Sequence, residues 1–114
     1  MTAVLALGER PQTARYVTHD PDAVEAFLAA SPFLIPLLTE ALDPLEEAFG
    51  PETPFVVALE RDPEVAGWEE LRVDVETPLP VDEADRRLET FLTTWWLAQL
   101  PRAQGKLFFT LAFV

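Results

Sequence analysis

Residues 81–96 read VDEADRRLETFLTTWW, and the fold turns on the interpretation of that stretch. On a helical wheel Val81, Ala84, Leu88, Phe91, Leu92 and Trp95 fall within one arc of roughly 100°, the width of a core-facing stripe. Asp82, Arg86, Glu89 and Thr93 take the other side. The pattern predicts an amphipathic helix with Trp95 in the core and Trp96 on the flank of the stripe. Leu97 points away from the stripe and Gln99 would return to it, so the helix is expected to end near Trp96 or Ala98, before Pro101. The pairs Asp82 to Arg86 and Glu83 to Arg87 place the acidic partner first, worth about 0.2–0.5 kcal/mol each.

Strand-like runs flank this helix. Glu69 to Glu76 alternates, with Leu71, Val73 and Val75 on one side and Arg72, Asp74 and Glu76 on a wet side. Thr53 to Glu60 and Lys106 to Val114 are apolar on both faces, which predicts that both faces are covered. Asp62-Pro63 and Gly67 mark an irregular connection between the first two runs, and Pro101 to Gly105 a turn before the last.

Further back, Asp20-Pro21, Ser31-Pro32 and Asp43-Pro44 punctuate an apolar segment. Asp20 is positioned to cap a first helix from Pro21 to Ala30, with Pro21 in the first turn. The other two pairs predict a second piece, Phe33 to Leu42, and a third ending at Phe49, with Gly50 as the terminator. Residues 21–49 therefore read as a segmented helical arm bent at 31 and 43. Ala3 to Leu7 is a candidate short strand and Gly8 to Thr13 a loop, with residues 1–17 expected to be partly mobile. The fold class expected is α+β in one domain, residues 1–114: helical arm, β-hairpin, amphipathic helix and C-terminal strand. This is αββαβ, or ferredoxin-like βαββαβ if residues 3–7 form a strand.

Composition narrows the function classes. The 114 residues are enough for one core without staples. No cysteine is present and His19 is the sole histidine, which removes disulfides, thiolate chemistry and multi-histidine metal sites within one protomer. The formal charge of −12 opposes phosphate backbones and anionic lipid, so no nucleic-acid or membrane partner is expected and a basic protein surface is favoured. Nineteen of the 20 carboxylates lie between Asp20 and Glu89, and from Thr90 onward the only charges are Arg102 and Lys106. Met1 to Leu7 is too short for a membrane span and lacks the features of a signal peptide, which predicts a cytoplasmic protein. Seven arginines against one lysine, with abundant Ala, Leu and Pro, suit a GC-rich bacterial gene.

Asp62-Pro63-Glu64, Trp68-Glu69-Glu70-Leu71, Trp95-Trp96, and Arg102 with Gly105-Lys106-Leu107 together resemble a group of short, uncharacterised bacterial proteins. The resemblance covers the C-terminal half and, more loosely, the arm from Ala26 to Leu38. It implies a compact bacterial α+β domain and carries no activity, ligand or catalytic residue.

Candidate chemistry is sparse. Asp62, Glu64, Glu69 and Glu70 surround a loop and suggest acid/base work or a divalent cation, but no EF-hand spacing accompanies them, and loop acids on so acidic a chain are ordinarily solvated. His19 has no Ser, Thr or Asp at a catalytic spacing and reads as a surface or capping residue. Trp68, Arg72 and Trp96 are the binding candidates, the indoles for stacking or for an oligomer interface. No catalytic residue, metal site or cofactor is assigned. The expected function is a non-enzymatic acidic interaction module that self-associates as a homodimer and engages a basic protein. The alternative is a small-molecule-binding regulatory domain with its site at the dimer boundary, and an enzyme using loop carboxylates ranks third.

Overall fold

The computed structural model describes residues 16–61, 64–65 and 67–114. The expected strand at Ala3 to Leu7, the loop after it and the Asp62-Pro63 turn lie outside the described residues. The chain runs β1 (Tyr16–Thr18), α1 (Pro21–Ala30), α2 (Leu34–Phe49), β2 (Phe55–Arg61), β3 (Glu69–Thr77), α3 (Val81–Phe91), a π-helical segment (Leu92–Trp96), α4 (Leu97–Ala103) and β4 (Leu107–Phe113). The α+β class holds. The four strands form one mixed sheet in the order β1-β2-β3-β4. β1 lies parallel to β2, β2 antiparallel to β3, and β3 parallel to β4. Each strand pair joined through helices is thus adjacent, which differs from the split ferredoxin-like pairing.

β1 is the strand that the pattern misses, because three residues carry no readable period. Tertiary contacts define it instead. Tyr16 is buried and its hydroxyl donates to Leu38 O of α2 at 2.7 Å, and His19 N–H donates to Val57 O at 2.8 Å.

The sheet has one dry face. In register across it lie Phe55, Val75 and Leu111; Val57, Val73 and Phe109; and Leu59, Leu71 and Leu107. Val24 and Leu28 of α1, the buried stripe of α2, Phe91, Trp96 and Ala103 all join the same core cluster. Among the described residues, every helix therefore packs on this one face. The expectation that a two-sided apolar pattern means two-sided cover is not met by these helices. The opposite face carries Val56, Ala58 and Glu60, then Glu70, Arg72, Asp74 and Glu76, then Phe108, Thr110 and Ala112.

The helical arm has one bend where two were expected. α1 and α2 meet at 117° around Ser31-Pro32, but α2 runs unbroken through Pro44. Pro44 lacks the N–H of one helical bond, yet Ala41, Leu42, Leu45 and Phe49 form a single buried stripe across it. Separating the halves would expose that stripe, at about 1.5–3 kcal/mol per large apolar side chain against roughly 3 for an interior proline. Pro36 falls in the first turn, where its missing N–H has no intrahelical role. Asp20 makes no side-chain cap; it adopts a left-handed conformation at φ 55, and its carbonyl accepts from Ala23 and Val24 N–H. Among the described residues no single helix is long and apolar enough to cross a membrane.

The decisive departure lies at the tryptophans. The helix does not stop at Trp96 but continues to Ala103, and between Leu92 and Trp96 it widens to π geometry, with Leu97 N–H bonding to Leu92 O five residues back. One extra residue in a turn shifts the phase of everything after it. Trp96 therefore rotates into the core at 4% exposure, while Trp95 is half-buried and packs against the core from its side. Val81, assigned to the stripe, is exposed. The hydroxyls of Thr93 and Thr94 donate to Glu89 and Thr90 carbonyls at 2.9 and 2.6 Å, covering acceptors at the entry to the widened turn. Pro101 is tolerated because the last turn is anchored elsewhere: Ala103 is buried, and Arg102 makes a two-pronged pair with Glu40 of α2 at 2.9 and 3.1 Å.

Two measurements check this architecture. In denaturant melts Trp96→Ala should lose about 3–5 kcal/mol, the cost of truncating a buried large aromatic. Trp95→Ala should lose only about 1–2 kcal/mol because part of its ring is already in water; the reverse order would contradict the π phase. The Arg102 hydrogen bond holds the Glu40 carboxyl below its ordinary value of 4.5. A lowered folded value means stability that is fully present above the unfolded pKa and is lost as pH falls through the folded one. Arg102→Met should therefore flatten the acid side of the stability curve, by a small amount since both groups are exposed.

Candidate functional site

The three binding candidates do not converge. Trp96 lies on the helical face of the sheet, where its ring meets Phe109 edge-on at 4.8 Å. Arg72 belongs to the opposite face, in register between Ala58 and Phe108. Trp68 stands just ahead of β3, 39% exposed, with Lys106 Nζ 5.4 Å from its ring. Trp96 is thus a core residue, filling the role expected for Trp95.

Arg72 is the best-organised polar group of the helix-free face. Its Nε donates to Asp74 Oδ1 at 2.8 Å, and its Nη1 donates to Glu60 on β2. Strand alternation explains the contact with Asp74, two residues on along the same face. Register explains the reach to Glu60, which sits opposite Glu70 on β3. The guanidinium is held above its ordinary pKa chiefly by the bond to Asp74, and by the charges of Asp74 and Glu60 against the cost of desolvation. The side chain is 31% exposed. It anchors a carboxylate cluster in place through its Nε and Nη1 donors.

Of the loop carboxylates, Glu69 and Glu70 take opposite faces of β3. Glu69 pairs with Arg61 across the hairpin at 2.8 Å, and among the described residues no group of three His, Asp or Glu side chains could hold a metal ion. Glu70 lies on the helix-free face, and Asp62 lies outside the described residues. His19 is exposed, at the point where β1 hands over to α1. A shallow cleft of about 50 Å³ between α2 and α3 is lined by Pro44, Glu47, Ala48, Thr90, Phe91 and Thr94. Small-molecule sites ordinarily take several hundred cubic ångströms, so this cleft has room for little more than water.

What pattern reasoning missed is a surface. The helix-free face sets Glu60, Glu70, Asp74 and Glu76 beside Val56, Ala58, Phe108 and Ala112, with Arg72 as its one central cation. The signal was in the two-sided apolar runs, which show that a second face exists but not which elements leave it open. Comparison with protein-family models, with curated proteins and with solved structures finds no match to this chain.

Removing Arg72 isolates two neighbouring carboxylates, one of them mostly buried. Arg72→Ala should cost about 1–3 kcal/mol at neutral pH. Urea melts decide it, with Arg72→Met as the control that keeps the aliphatic stem and removes the charge; full recovery of stability by methionine would locate the effect in packing instead.

Proposed function

We propose that this chain is a non-enzymatic, acidic interaction module whose helix-free sheet face receives a basic, partly apolar surface of another protein, and which also self-associates. The observation that carries the first half is the composition of that face: four carboxylates along β2 and β3 against one arginine, bordered by apolar side chains. Carboxylates steer a basic partner and suppress an acidic one, while Val56, Phe108 and Ala112 offer area to desolvate. The net charge of −12 extends the attraction beyond contact range. The small-molecule alternative draws no support from the geometry, since Trp96 and Arg72 lie on opposite faces.

Titration of isotope-labelled protein with a basic peptide of alternating Lys and Leu tests the reading by amide shifts. Changes centred on Val56, Arg72, Asp74 and Phe108, weakening steeply with salt and reduced about tenfold or more in a Glu70→Lys, Glu76→Lys variant, are expected. Shifts spread over the acidic outer surfaces of α1 and α2, or none at low salt, would overturn it.

A further inference from the structure

We infer that two copies of this chain join through β4, antiparallel about a twofold axis at Thr110, into one continuous eight-stranded sheet. The inference deepens the self-associating half of the proposed function and rests on that half alone.

β4 is an edge strand, paired on one side with β3 and with none of the described residues on the other. Seven residues long and uncharged throughout, it is the kind of edge that soluble proteins ordinarily block. The bonds framing its ladder run from Leu71 N–H to Lys106 O and from Val114 N–H to Thr77 O. Even-numbered residues of β4 therefore aim their backbone groups at β3, and strand parity aims those of Leu107, Phe109, Leu111 and Phe113 outward.

That outward set is self-complementary. An axis at Thr110, the midpoint of residues 107–113, pairs Phe109 with the partner's Leu111 and Leu107 with the partner's Phe113. Each such pair exchanges two backbone hydrogen bonds, and Thr110 meets its own copy in a non-bonded position. Facial alternation survives the join: the odd-numbered side chains stay on the helical face of both sheets.

Charge selects the occupant. At −12 per protomer two copies repel over most of their surface, but β4 and the helical rod after Glu89 contain no carboxylate, so this edge is where copies meet with least repulsion. A basic partner finds nothing to pair with there. The helical layer agrees. α2 lies on the β1 side through the Tyr16 bond, and Thr90, Phe91 and Thr94 border the cleft against it. After Glu89, half-buried Leu92 lies on the flank turned away from that cleft and adds apolar surface on the β4 side.

The natural chain has no cysteine, so single replacements report the register directly. Across a non-bonded antiparallel pair the two Thr110 Cα atoms stand about 4.5 Å apart, within disulfide range. Thr110→Cys should oxidise to a covalent dimer, whereas Phe108→Cys, offset by about 13 Å from its copy, should not. Light scattering of the unmodified protein should give twice 12.8 kDa. Leu111→Pro, which deletes an outward N–H and leaves the β3 ladder intact, should give a folded monomer by circular dichroism. A wild-type monomer at all concentrations, or equal crosslinking at positions 108 and 110, overturns the inference. Neither result bears on basic-peptide binding to the sheet face, so the two halves of the proposed function fail separately.

Discussion

The structure depends on the grip of the helical rod on Phe109. Phe91 meets that ring edge-on at 4.9 Å and Trp96 at 4.8 Å, so two aromatics spaced five residues apart close on one strand residue. In an ideal α-helix positions 91 and 96 diverge by about 140° and could not both face the same ring. The π turn from Leu92 to Trp96 is what brings them onto one side. Its poorer hydrogen bonding is offset by burying a whole indole, and Trp95 then fills the step between Phe91 and Trp96 at 5.8 and 5.9 Å.

From that grip the layering follows. With the rod seated against Phe109 of β4, α2 takes the β1 side of the same face, held by Tyr16, by Arg87 donating to Ala48 O at 3.1 Å, and by the Arg102 to Glu40 pair. Both helical units therefore share one core, and the sheet is left with a face that polar chemistry must satisfy. Arg72 does so between Asp74 and Glu60.

Charge and topology are aligned along the sheet. The carboxylates concentrate on β2, β3 and the helices up to Glu89, whereas β4 carries no charge and the helical stretch after Glu89 carries only Arg102. The basic partner and the second copy proposed above would thus meet different parts of the sheet, an acidic face and an uncharged edge.

The sequence by itself determined the elements set by short-range rules. Alternation located β2, β3 and β4 to within a residue or two, the 3.6-residue period located α3, and Pro with its preceding residue located α1 and the bend at 31. Charge asymmetry was equally legible. Tertiary structure alone decided the rest. β1 is too short to show a period and exists because Tyr16 has a pocket and a partner in α2. Pro44 predicts a break from local sterics, yet the break loses to a buried stripe spanning it. Trp95 and Trp96 are adjacent indoles that composition cannot rank, and which one enters the core is set by Phe109, thirteen residues beyond Trp96 in the chain. Trp68, Arg72 and Trp96 each read as candidates because exposure and face are long-range properties, fixed only once the sheet order placed them apart.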